Sequence, residues 1–212
     1  MGYADDIAAA GEAARAAIDS RHRAREVTLA AARRIIQASA ASIRATHRGE
    51  FGRAGELIAQ GAAALAEADA ALAAHPDLRV TGALPDAIKE LVEANATLAF
   101  VSDAPLPTME ALGVSASAYL NGLAEAASEL RRHALDCLRE GRLDRAEQLV
   151  AIMDDVYALL VTIDYPDGVT GGLRRTTDAL RGVLERTRGD LTTTMVAARL
   201  QASIERMESG ER

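Results

Sequence analysis

The sequence predicts an all-α protein, on three observations. Ala, Leu, Val and Ile supply most of an apolar content of 49%, with only four Tyr, two Phe and no Trp. A β-rich protein would need runs of Val, Ile, Thr and aromatic residues, and these are missing. Alanine recurs almost everywhere, separated into long helix-friendly stretches by glycine and proline. At 212 residues the length allows one large or two small domains. No segment repeats and no linker is long enough to divide the chain. The expectation is therefore one helical bundle of about seven helices spanning residues 1–212.

The elements follow in order. A first helix runs from Tyr3 to about His47 and is interrupted at Gly49 and Gly52. The second, "AGELIAQGAAALAEADAALAAH", stops at Pro76. After the connector "PDLRVTGALP", the segment "LPDAIKELVEANATLAF" forms a third. "SDAPLPTMEALGV" is a loop, since Pro105 and Pro107 bar a regular helix interior. Ser115 or Ser117 caps a fourth helix that reaches about Glu140. "EGRLD" turns into a fifth, and "DYPDG" breaks that run before a sixth. Gly189 and Asp190 read as C-cap and N-cap between the sixth helix and a seventh that frays near Ser209.

The formal net charge is −7, so the whole molecule is not a general polyanion binder. The local pattern matters more. Lys89 is the sole lysine, and arginine provides every other basic side chain except histidine. Arg favours bidentate contacts with phosphate and carboxylate. Cys137 stands alone, which excludes an internal disulfide and fits a reducing compartment. No stretch resembles a signal peptide and no run of about 20 apolar residues could span a bilayer. A soluble, cytoplasmic protein with no membrane partner is expected.

Acidic spacing is the most informative feature. Glu90 and Glu93 share one face of the third helix, with Asp86 a turn earlier, and Glu125 and Glu129 share a face of the fourth. Helical projection sets both pairs on polar faces, opposite the Leu and Ala stripes. Two readings are open at this point. The pairs are solvated faces, or they are raw material for a Mg²⁺ or Mn²⁺ site, since hard cations prefer carboxylate oxygen and water. No Lys or Arg at i+4 relieves Glu90 or Glu125, and stacked like charges cost roughly 0.2–0.5 kcal/mol per pair.

Other residues carry less. His22, His47, His75 and His133 have no metal-ligand spacing, and Cys137 is expected in the core. "TGGLRR" is a turn and helix start, or at best a weak phosphate cradle. Phosphate-loop, nucleophile-elbow and dinucleotide motifs are absent. The first helix bears Arg15, Arg21, Arg23, Arg25, Arg33 and Arg34, which either grip a phosphate backbone or pair with acids such as Asp19 and Glu26. Arg131 falls on the apolar side of its helix, which suggests a contact between subunits.

The blocks "SRHRAREVTLAAARRIIQASAASIRATHRGE", "KELVEANATLAF", "SAYLNGLAEAASELRRHALDCLREGRLDRAEQLVAIMDDVYALL" and "YPDGVTGGLRRTTDALRGVLERTRGDL" resemble, in this order, translin and translin-associated factor X. The likeness runs from about residue 20 to 195 and is most specific in "YLNGLAEAASEL" and the C-terminal block. Single-chain prokaryotic members of the nuclease type look most similar. The resemblance implies a seven-helix bundle, assembly into a hollow octamer, and binding of single-stranded RNA, with single-stranded DNA as a second class.

It also implies a Mg²⁺- or Mn²⁺-dependent endoribonuclease, a phosphodiester hydrolase, with Glu90, Glu93, Glu125 and Glu129 as metal ligands and catalytic acids. Glu125 stands where the nuclease-type pattern usually has Asp, one methylene shorter. Arg21, Arg25 and Arg132 would position the nucleic-acid backbone. So few aromatics leave little base stacking, so weak sequence preference is expected. The alternative is a catalytically silent translin-like oligomer that binds single-stranded nucleic acid, and a third class is a helical interaction protein with no nucleic-acid role.

Overall fold

A computed structural model describes residues 3–209, and no strand occurs among them. Helix α1 (Ala4–His47) is 44 residues long, roughly 66 Å at the usual rise. Gly49, at φ +74°, reverses the chain into α2 (Phe51–Ala71). A 3₁₀ turn (Pro76–Val80) leads to α3 (Leu84–Ser102), with Pro85 in its first turn, where a missing N–H costs nothing.

The proline-rich loop holds only the single-turn α4 (Met109–Leu112). Of the two candidate caps, Ser115 starts α5 (Ala116–Arg139), its Oγ accepting from the Ala118 N–H at 3.3 Å. A turn at Gly141 joins α6 (Leu143–Leu160), which is followed by the single-turn α7 (Asp167–Thr170) and by α8 (Leu173–Ser209).

The all-α bundle matches the sequence reading, with two boundaries corrected: α2 ends at Ala71, four residues before His75, and the other lies in α8. Gly189 and Asp190 do not separate two helices; α8 runs straight through them, so six long helices and two single-turn ones replace the expected seven. Gly189 lacks the positive φ of a helix-terminating glycine. Its carbonyl instead accepts from Thr193 Oγ1 at 2.9 Å. The buried row Leu180, Leu184, Thr187 and Leu191 continues across the glycine, and packing of that row holds the helix.

Two apolar clusters form the interior. One joins α1, α2 and the first half of α3, through Ala31, Ile35, Leu65, Leu84, Ile88 and Leu91. The other joins α5, α6 and α8 with the end of α3, through Leu130, Leu149, Met153, Leu160, Leu180 and Leu184, and encloses Cys137 as expected. Helix α3 is thus shared, and its contact with α5 is the seam between the two clusters. Arg145 pins the seam's far end by donating to the Phe100 and Val101 carbonyls at 2.9 and 3.0 Å, satisfying groups the helix end leaves open. No described helix is long and apolar enough to cross a membrane.

Candidate metal centre

The seam is close because Gly122 makes it so. A Cβ at that position would lie 2.6 Å from Val92 Cβ and 2.9 Å from the Lys89 carbonyl oxygen. Only glycine lets α5 approach α3 to this distance. The two helices run in the same sense there, so the face after Gly122 meets the face after Lys89. Both acidic pairs lie on those faces.

The structure brings three of the four acids together. One carboxylate oxygen each from Glu90, Glu93 and Glu125 lie within 4.8 Å of one another. These three side chains would be the ones to hold a Mg²⁺ or Mn²⁺ ion, drawing closer together around it. Glu93 is not on a solvated face; it keeps 9% of its exposure. Burial, then the Glu125, Glu90 and Glu129 carboxylates, push its carboxyl up to about 8. Burial and then Glu125 also raise the Glu90 carboxyl. A trio of converging carboxylates, one of them buried and biased towards its protonated form, fits a hard divalent cation.

Glu129 stands slightly apart, held by a residue the sequence reading passed over. His47, the last residue of α1, places Nε2 at 3.0 Å from Glu129 Oε2, with only 4% of its side chain exposed. This hydrogen bond, more than any other influence, holds the Glu129 carboxyl below the usual range. Burial, and then Arg142 and Arg145, hold the His133 imidazole, one turn beyond Glu129, below its usual range. The Nδ1 atoms of His47 and His133 are both buried without a hydrogen-bond partner. Their spacing of 86 residues gave no local signal.

Lys89 was read only as the sole lysine. Its Nζ donates to Glu125 Oε1 at 2.8 Å, across the helix seam and not along its own helix.

The three predicted backbone-binding arginines separate. Arg132 lies one turn after Glu129, is exposed, and lines a groove of about 560 Å³ with Ser128, Arg131, Asp136 and Arg139. Arg21 and Arg25 lie roughly 33–39 Å before His47 along α1. Arg21 forms a two-point pair with Asp77 at 3.1 and 2.5 Å, and Arg25 pairs with Glu26 at 2.9 Å. Arg131, read as a subunit contact, donates instead to Thr187 Oγ1 at 3.1 Å and pairs with Asp190 at 2.9 Å, joining α5 to α8 within the chain.

No family model matches the chain. It is 32% identical over 140 residues to a Methanocaldococcus jannaschii protein described as "Uncharacterized protein MJ0175". That match takes in 66% of this chain and 62% of the relative, so the chain spans about three fifths of the curated relative's length. The crystal structure of AfC3PO superposes with a TM-score of 0.80 at 34% identity, covering 88% of this chain and 97% of AfC3PO. AfC3PO in complex with duplex RNA gives 0.78 at 33% identity, over 88% of this chain and 96% of that one. Apo-NeC3PO, at 18% identity and a TM-score of 0.75 over 87% and 96% of the two chains, shares the fold alone. Since a third of the residues are identical over nearly the whole of AfC3PO, the chain belongs to the translin family.

Proposed function

We propose that the protein is a divalent-cation-dependent endoribonuclease, with Glu90, Glu93 and Glu125 holding Mg²⁺ or Mn²⁺ and Glu129 completing the site. One observation carries the reading: three carboxylate oxygens within 4.8 Å, one belonging to a buried acid whose pKa is pushed up to about 8. A cation bound there would stabilise charge on a phosphodiester and activate water near neutral pH.

The chain's own groups have distinct work in this scheme. Glu93 releases its proton as the site loads. His47 fixes the orientation of Glu129 and so the edge of the site facing the groove. Arg132, exposed at that edge, is placed to meet a backbone phosphate through charge-assisted hydrogen bonds. Arg21 and Arg25 would meet a nucleic-acid backbone in competition with Asp77 and Glu26.

RNA as the ligand is supported by the complex of AfC3PO with duplex RNA. That complex makes duplex RNA a form to test beside the single-stranded form expected from the sequence. Association of subunits, with a hollow octamer as the form the family resemblance implies, is supported by the ends of the two longest helices. Residues 3–19 and 192–208 contain no buried side chain, yet they include Ile7, Ile18, Val196 and Leu200. One observation favours the second reading, a catalytically silent RNA-binding oligomer: Lys89 already neutralises Glu125.

The test is cleavage of labelled single-stranded and duplex RNA with Mn²⁺ or Mg²⁺, comparing the natural chain with Glu90→Gln/Glu93→Gln. Cleavage that EDTA and the double substitution both abolish, with the assembly intact, is the expected result. RNA binding by both proteins with cutting by neither sinks the nuclease and leaves the silent binder.

A further inference from the structure

Lys89 already holds one member of the carboxylate trio. Its ammonium lies 2.8 Å from Glu125 Oε1, and the side chains of Lys89 and Glu125 are only 27% and 30% exposed. Lys89 is the residue immediately before Glu90 on α3, and its carbonyl packs against Gly122 on α5. Its backbone is thus fixed at the seam, while its four-carbon side chain is free to turn.

We infer that Lys89 is a built-in counter-ion of the carboxylate site, which an incoming divalent cation must displace from Glu125. This inference rests on the metal-dependent reading above. A cation taken up by Glu90, Glu93 and Glu125 brings a second positive charge beside the ammonium already held by Glu125 Oε1, and two positive charges sharing one carboxylate repel. The displaced side chain has a place to go. A cavity of about 210 Å³ opens beside it, lined by Asp86, Ser117, Asn121, Arg175 and Thr176. Asp86 lies one turn before Lys89 on the same helix, is exposed, and forms no ion pair among the described residues. Asp86 is close enough to act on the Lys89 charge already. Loading therefore exchanges Glu125 for Asp86 as the partner of Lys89, a move of one side chain without motion of either helix.

The device sets the metal affinity of the site. Breaking a half-buried ion pair is part of the cost of loading. Removing the ammonium removes that cost, and removing Asp86 raises it. The two substitutions therefore act in opposite directions, which a merely structural role for either residue would not produce.

Mn²⁺ binding to the full chain, followed by calorimetry and by electron paramagnetic resonance, tests this. Lys89→Met is expected to bind Mn²⁺ about tenfold more tightly than the natural chain, Lys89→Arg no more tightly, and Asp86→Asn severalfold more weakly. Glu90→Gln/Glu93→Gln serves as the control for the metal site itself. Because Lys89 is the sole lysine, ¹³C-lysine labelling reports it alone, and its terminal methylene resonance should shift on adding Mg²⁺. Mn²⁺ binding that the control abolishes but Lys89→Met leaves unchanged or weakens overturns the counter-ion role and spares the metal site. No saturable Mn²⁺ binding in any variant overturns both. Should Lys89→Met fail to fold, an unchanged affinity in Asp86→Asn together with an unmoved lysine resonance overturns the proposal.

Discussion

His47 Nε2 lies 3.0 Å from Glu129 Oε2, so the last residue of α1 is tied to the middle of α5 across 82 positions of sequence. The contact links the site to the α1–α2 hairpin, because His47 immediately precedes the turn at Arg48 and Gly49. Replacing His47 by Gln should cost about 1 kcal/mol at neutral pH, the low end for a hydrogen bond to a charged group, because the Glu129 side chain is 40% exposed and partly screened by solvent. The cost also has a pH signature. Glu129 is held below the ordinary carboxylate range in the folded state. The resulting stability is present above the unfolded value and is lost as pH falls through the folded one. Urea midpoints of the two proteins should therefore differ at neutral pH and converge as pH falls below the ordinary carboxylate range; a constant gap would place the effect in packing alone.

Glu93 behaves with the opposite sign. Its carboxyl is raised from 4.5 to about 8 by burial and by neighbouring carboxylates. A group that binds its proton more tightly when folded stabilises the protein below the unfolded pKa, and that stability is lost as pH rises towards the folded one. At 1.36 kcal/mol per unit, the metal-free protein should lose a few kcal/mol between about pH 4.5 and 8. Glu93→Gln should flatten this dependence, and Mg²⁺ or Mn²⁺ should restore the natural chain at the alkaline end, because binding releases the proton. Thermal unfolding in EDTA that stays level from about pH 5 to 8 would contradict the buried, protonated Glu93.

Much of this architecture was readable because local chemistry decides it. Gly49, Pro76, the two prolines at 105 and 107, Ser115 and Gly141 end or start helices for reasons confined to a few residues. Gly189 and Asp190 carry the same local signal and yet do nothing of the kind, because the buried leucine row of α8 outweighs it. Spacing also set Glu90 with Glu93 and Glu125 with Glu129, each pair on one face. What spacing could not show is that the two faces meet. That depends on Gly122 opposite Val92, and it turns Glu93 from a polar-face residue into a buried one. Lys89 and His47 were missed for the same reason, since each finds its acid on another helix. Family resemblance joined the four acids before any geometry did, but it gave no sign of the lysine between them.

Gly122→Ala should therefore be costly out of proportion to one methyl group. Alanine would favour the helix by about 1 kcal/mol on propensity alone. Its Cβ would meet Val92 Cγ1 at 2.7 Å and the Lys89 carbonyl oxygen at 2.9 Å, and the second of these is backbone that cannot turn aside. Overpacking of this kind costs about 1–3 kcal/mol, so a lower Tm is expected. The substitution should also weaken Mn²⁺ binding although no ligand changes, since α5 must move away from α3. Adding Val92→Ala should recover little of the stability or the binding, because alanine keeps the Cβ at 2.6 Å and the carbonyl contact remains. A variant as stable as the natural chain would mean the seam is looser than 2.6 Å implies.

The projecting ends of α1 and α8 make the last prediction. Val196, Leu200, Ile204 and Met207 recur at helical spacing along α8, with Leu200 62% exposed, and Ile7 and Ile18 lie three turns apart on α1, Ile18 66% exposed. Covering each such side chain is worth about 1.5–3 kcal/mol, enough over several residues to drive association of subunits. Light scattering on the 22.3 kDa chain should therefore report a multiple of that mass, with eight copies as the expected number. Leu200→Glu together with Ile18→Glu should reduce the multiple while leaving the helical content and the unfolding of the central bundle almost unchanged, because neither residue touches a buried cluster. If the natural chain were a stable monomer at micromolar concentration, the hollow shell would be ruled out, and the acids would have to work from an open surface.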